Sequence, residues 1–176
     1  MITMRRMRVL FTLAILILSN VLFAQNLAQQ KAVIITAVKN IDQNKNAKAT
    51  SFSIPALKKV LHHISYQYSQ DKDGYIKIFR QYSHKNDTTQ EAYYFKKGQL
   101  IYATETIISY YSHQANIDSS IWKGDFYFAN GKLIDHVTLG HGRSETEEWN
   151  PEQDVLQSLR EAKRDIERYK KIKNPE

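Results

Sequence analysis

The sequence predicts an α+β fold, an antiparallel meander of about six strands packed against a long C-terminal helix with helical segments at the N-terminus. Three observations carry this. Between residues 63 and 139, apolar and polar side chains alternate in runs broken by turn residues. An aromatic phrase occurs twice, as Tyr93-Tyr94-Phe95-Lys96-Lys97-Gly98-Gln99-Leu100-Ile101 and as Phe126-Tyr127-Phe128-Ala129-Asn130-Gly131-Lys132-Leu133-Ile134, offset by 33 positions. Near the end, Val155, Leu156, Leu159, Ala162, Ile166 and Tyr169 recur at three-to-four spacing, one apolar side that a sheet face can receive.

Residues 1–24 read as a secretory signal peptide. Arg5, Arg6 and Arg8 precede an apolar run from Val9 to Leu18, and Ala24 supplies a small residue before Gln25. A membrane span needs roughly twenty apolar residues, about twice this run. Cleavage is expected after Ala24, leaving residues 25–176 as a single α+β domain with no stable membrane span; the alternative is an uncleaved N-terminal anchor. The segment holds three of the 25 Lys and Arg residues and no acid, so 22 basic against 18 acidic residues leave a charge of +4. Lys and Arg are interspersed with Asp and Glu, which argues against nucleic acid as a partner. Cysteine is absent, so no disulfide framework and no thiolate metal site is expected. The periplasm or the extracellular space is the expected location.

Leu27, Val33, Ile34, Val38 and Ile41 predict a first helix over residues 26–41, with a short strand through Val33-Ile34-Ile35-Thr36 as the alternative. Residues 42–50 read as a polar connection, and Pro55 suits the first turn of a short helix ending near His62. Ile64, Tyr66 and Tyr68 alternate with polar residues, Asp71-Lys72-Asp73-Gly74 makes a turn, and Tyr75 to Tyr82 returns as a partner strand. A polar loop over residues 83–89 leads to the first copy of the repeat. Its second strand, running from Leu100 to Tyr111, carries apolar groups on both faces, which predicts a central strand or a bulge that changes its facing. A polar connection over residues 112–120 leads to the second copy. Because only the second copy has Asn-Gly, while glycine is common to both, the shared turn is read as a three-residue loop with a G1 bulge in preference to a two-residue type I′ turn. Asn150-Pro151-Glu152-Gln153 starts the last helix with a capping side chain, proline at the first position, acid in the first turn and Gln three residues on.

Chemistry is sparse. The sequence contains no G-x-S-x-G, no G-x-x-x-x-G-K and no H-E-x-x-H. His136, His141 and Glu145 offer nitrogen and oxygen ligands for Zn²⁺, but spacing along a loop does not fix them on one face. Glu105 and Asp125 fall within strands, either as an acid–base pair facing one cleft or as solvent-face residues of a sheet. Ten of the eleven tyrosines lie between Tyr66 and Tyr127. Tyr94, Tyr127 and Trp122 on an uncovered sheet face, or His141 and Arg143 in the loop over residues 140–149, are the candidate binding residues.

The repeated hairpin phrase, together with Phe23-Ala24-Gln25, resembles small exported proteins of unknown function from Bacteroidetes-type bacteria that carry one or two YYFxNGKLI hairpins. The resemblance covers mainly residues 1–25 and 90–140 and implies no activity. Tyr-rich strands with a turn glycine are also superficially similar to MORN repeats, but the copies lie too far apart and lack that motif's flanking glycines. The expectation is an exported, non-catalytic binding module that needs no cofactor and meets a protein, peptide or glycan through a sheet face or the loop over residues 140–149. The alternative is a metal-dependent hydrolase using His136, His141 and a nearby carboxylate.

Overall fold

A computed structural model describes residues 25–44, 47–55, 61–113 and 116–173. The expected signal peptide and its cleavage site lie outside the described residues. The chain divides into two compact units, Met1–Ala37 and Val38–Glu176. The first contributes a described helical segment over residues 25–37; in the second, residues 38–43 are helical, and we term these α1. The strand alternative at Val33–Thr36 is not adopted.

The second unit contains seven strands: β1 (Ala49–Pro55), β2 (Leu61–Asp71), β3 (Gly74–His84), β4 (Asp87–Lys96), β5 (Gln99–His113), β6 (Asn116–Ala129) and β7 (Lys132–Leu139). Each pairs antiparallel with the next, so the sheet order is the chain order. A short 3₁₀ turn (Arg143–Glu145) and the helix α2 (Pro151–Lys173) follow. The fold is α+β, as the sequence predicts.

The seventh strand is β1, which takes the last two residues of the expected polar connection and runs on through residues 51–55, where no strand is expected. Only Phe52 and Ile54 are large and apolar in it, too few to announce a strand, but Phe52 stacks between Tyr66 at 4.9 Å and Tyr169 at 4.0 Å. Pro55 ends this strand at the sheet edge, where a missing N–H is tolerated. The helix expected to begin there falls on residues 56–60, outside the described residues, and Leu61 and His62 already belong to β2. The polar stretches expected as loops over 83–89 and 112–120 are instead mostly strand. A two-residue turn, Lys85-Asn86, joins β3 to β4, and β5 and β6 pair as far as His113 and Asn116. Backbone pairing continues through polar residues wherever a neighbouring strand supplies partners.

The turns of the repeat also differ from expectation. Lys97 and Gly98 have φ of 51° and 73°, and Asn130 and Gly131 have 52° and 76°. Both are two-residue loops with positive φ at each central position, the type I′ pattern, so Lys97 occupies a conformation more often taken by Asn. The bulge lies a few residues further on. Tyr94 and Phe95 face Tyr102 and Leu100, and Tyr127 and Phe128 face Asp135 and Leu133, leaving Ile101 and Ile134 as the extra residues of the two copies. β5 is therefore both central and bulged, which accounts for its apolar groups on both faces.

One face of the sheet receives α2. Val155, Leu159, Ala162 and Ile166 are buried against Ile78, Tyr93, Ala103, Phe126 and Phe128 in one cluster. Burying each of the Val, Leu and Ile side chains stabilises by about 1.5–3 kcal/mol. Asn150 caps the helix, its Oδ1 accepting from the Gln153 N–H at 3.1 Å.

Candidate functional site

The antiparallel register aligns one residue from each strand in a row across the sheet: Phe52, Tyr66, Arg80, Glu91, Glu105, Gly124 and Thr138. Directly opposed residues share a face, and Tyr66 and Arg80 reach α2, so this row lies beneath the helix. Its middle is charged. Arg80 holds Glu91 through two hydrogen bonds, Nε to Oε2 at 2.7 Å and Nη2 to Oε1 at 2.8 Å, with both side chains 5% exposed or less. Nη2 also donates to Ser158 Oγ at 3.1 Å, and Nη1 stands 3.7 Å from Glu161. Tyr93 donates to Glu91 Oε2 at 2.7 Å and Tyr82 to Oε1 at 3.3 Å. Burial and the Glu91 charge push the Tyr82 hydroxyl up to about 12 and that of Tyr93 well above its ordinary value. Tyr66 donates to Asp165 of α2 at 2.7 Å.

Glu105 sits differently. Its neighbour in the row, Glu91, has already engaged Arg80, and its other neighbour, Gly124, has no side chain. Its partner is Arg143, from the 3₁₀ turn, with Nη1 at 3.1 Å from Oε1 and donating to Oε2 at 3.3 Å. Oε1 lies off the N–H direction and accepts no hydrogen bond. The Glu105 side chain is 9% exposed, whereas that of Arg143 is 40% exposed. Burial pushes the Glu105 carboxyl up from 4.5 to about 7; Glu91 and Asp154 add to the rise, and Arg143 and Arg80 oppose it.

Arg143 belongs to a loop fixed by its inner contacts. Gly140 (φ 89°) lies so close to β6 that a Cβ there would stand 2.1 Å from the Ile121 carbonyl oxygen, and one on Gly142 would meet the Trp122 indole at 2.9 Å. Trp122 Nε1 donates to Ser144 Oγ at 3.3 Å. Trp149 packs edge-on against Trp122 at 6.3 Å, Phe126 at 6.4 Å and His136 at 5.4 Å. The outer side chains, His141, Glu145, Thr146, Glu147 and Glu148, are exposed. Between loop and helix start lies an open cleft of about 610 Å³ lined by Arg143, Thr146, Glu147, Glu148, Trp149 and Asp154.

The candidate residues read from the sequence are thus separated. Tyr94, Tyr127 and Trp122 are buried and present no open aromatic face. Tyr94, Tyr102 and Tyr127 form a ladder on the face opposite α2, with centroids 5.6 and 5.3 Å apart. Lys77 and Tyr94 both reach Asp42 near the end of α1, at 2.6 and 3.2 Å. Glu105 and Asp125 are not a pair: they point to opposite faces, and Asp125 accepts from Tyr102 at 2.5 Å. His141 Nδ1 meets Glu145 Oε1 at 2.5 Å, but His136 turns its ring onto Trp149. His136 is on a strand residue that faces α2 while His141 is in the exposed loop, so the three expected ligands do not assemble. Among the described residues, no group of three His, Asp or Glu side chains is placed to hold a metal ion. His141 and Arg143 do share the loop, one on its outside and the other at the cleft.

Sequence reading missed the row of Arg80, Glu91 and Glu105. Its signal was parity: Arg80 lies between Ile78 and Tyr82 on an apolar face, and Glu91 stands two residues before Tyr93, so both charges point inward. No family model, curated protein or solved structure matches the chain.

Proposed function

We propose that the protein is an exported, non-catalytic binding module whose contact surface is the loop over residues 140–149 and the cleft behind it. The observation that supports this most is the loop's division of labour. Its inner residues are fixed against β6 and Glu105, while its outer residues are exposed beside an open cleft. A surface ordered before binding loses less entropy on association. The exposed rim carries Glu145, Glu147 and Glu148, with Asp154 and the Trp149 ring in the cleft, which suits a peptide segment bearing Lys or Arg.

The test is an NMR titration of the full chain with Lys- and Arg-containing peptides, with neutral oligosaccharides as comparators. Binding should perturb amides of residues 143–154, weaken with salt, and be lost in Trp149→Ala and in Glu147→Lys/Glu148→Lys. Perturbation centred on the exposed side of α2 or on the tyrosine ladder would place the contact elsewhere. Turnover of any titrated compound would refute a non-catalytic role.

A further inference from the structure

We propose that Glu105 and Arg143 form a proton-controlled latch on the binding loop: ionised Glu105 holds the guanidinium against the sheet, and protonation of Glu105 releases it toward solvent. The inference rests on the placement of the contact surface proposed above and assigns its regulation. Four arrangements support it. Glu105 is buried, yet among the described residues the one hydrogen bond its carboxylate accepts comes from Arg143 at 3.3 Å. Arg80, the nearest other cation in the row, is bound at two nitrogens by Glu91 and cannot substitute. Glu91 stands directly opposite Glu105, and like charges so placed repel. Arg143 is part-exposed, so its charge can be hydrated when the pair breaks.

The ionisable groups around Glu105 come from every element that surrounds it: Arg80 and Tyr82 from β3, Glu91 from β4, Arg143 from the loop and Asp154 from α2. Gly124 of β6 contributes none, and His136 of β7 faces Trp149. Arg143 favours the ionised carboxylate, and by reciprocity the ionised carboxylate favours a docked Arg143. The rise produced by burial brings this exchange close to neutral pH, where an ordinary carboxylate does not titrate. Releasing Arg143 adds a mobile positive charge at an acidic rim, so a cationic ligand should bind more weakly below the transition.

The experiment follows backbone amides of the full chain by NMR from pH 8.5 to 5.5, with hydrogen exchange corrected for its intrinsic pH dependence. The reporters are Glu145, Thr146 and Trp149, whose N–H groups donate to the Gly142, Arg143 and Thr146 carbonyls. In the wild type their shifts should move together with a midpoint near pH 7. Their protection should fall about fivefold on acidification, the size of a part-exposed ion pair. Glu105→Gln and Arg143→Gln should each show the less protected loop at every pH, and Arg143→Gln, at a part-exposed site, guards against a folding failure in the first. His136→Gln/His141→Gln should retain the transition. A flat wild-type profile, tighter protection at low pH, or a transition that survives Glu105→Gln and vanishes in the double histidine variant overturns the latch. No ligand enters this experiment, so failure of the binding reading leaves its outcome intact, and failure of the latch leaves the ligand titration to stand by itself.

Discussion

Replacing Glu105 with Gln isolates the cost of keeping a carboxylate beneath α2. The carboxyl is pushed from 4.5 to about 7 in the folded chain, so the folded state holds its proton more tightly than the unfolded state does. Stability from this group is therefore fully present below pH 4.5, declines as pH rises and reaches its floor above pH 7. Each pH unit in that window is worth about 1.4 kcal/mol, which makes ionised Glu105 less favourable than its neutral form by about 3 kcal/mol. The side chain is 9% exposed, so solvent screening removes little of this. Gln keeps the shape of the protonated acid and carries no charge. Arg143 loses its counter-charge in the variant, but part-exposed ion pairs contribute only about 1 kcal/mol or less. Urea unfolding at pH 4.5 should find wild type and Glu105→Gln close in stability. At pH 8.5 the variant should be the more stable, with its midpoint higher by about 1–1.5 M for an m-value near 2 kcal/mol/M. A variant less stable than wild type at pH 8.5, or a difference that does not grow between pH 5 and 7, would refute the reasoning.

Arg80→Met strands Glu91 as an uncompensated buried charge and should destabilise by about 3–5 kcal/mol, whereas Arg80→Met/Glu91→Leu should recover most of that loss in denaturant unfolding. Gly131→Ala, at a φ of 76° with open space around it, should lower stability by about 1 kcal/mol, the strain of a left-handed alanine. Gly140→Ala adds to a similar φ a collision with the Ile121 carbonyl and should lose 3 kcal/mol or more by the order of such backbone clashes, roughly, with the Trp122 and Trp149 fluorescence altered; equal losses at the two glycines would contradict the close approach. Zn²⁺ should leave the unfolding midpoint unchanged in wild type, His136→Ala and His141→Ala; a rise abolished by both substitutions would mean that the loop rearranges to gather its histidines.

The fold class, the meander, the repeated hairpin and the last helix are legible in the amino-acid sequence, because each is written in local periods and caps. Alternation fixes which strand faces are apolar, Asn150-Pro151 fixes a helix start, and Gly98 and Gly131 mark the two reversals of the repeat, whereas the Lys85-Asn86 turn carries no glycine to announce it. Features resting on neighbours distant in sequence were not legible. β1 has too few apolar residues to declare itself and is a strand because Phe52 finds Tyr66 and Tyr169. Tyr94 and Tyr127, the tyrosines that suggested an open face, are buried at either side of half-buried Tyr102 in a ladder that only register could assemble. Arg80 and Glu91 sit at inward positions on the sequence pattern, but that they meet in two hydrogen bonds depends on the β3–β4 register. The position of Glu105 was decided last and furthest from local sequence. It faces inward because of strand parity, lacks Arg80 because Glu91 stands nearer, and is met by an arginine 38 residues away because two glycines let the loop close over Trp122. Side-chain period is a property of the strand, whereas the partner of a buried charge is a property of the assembled sheet.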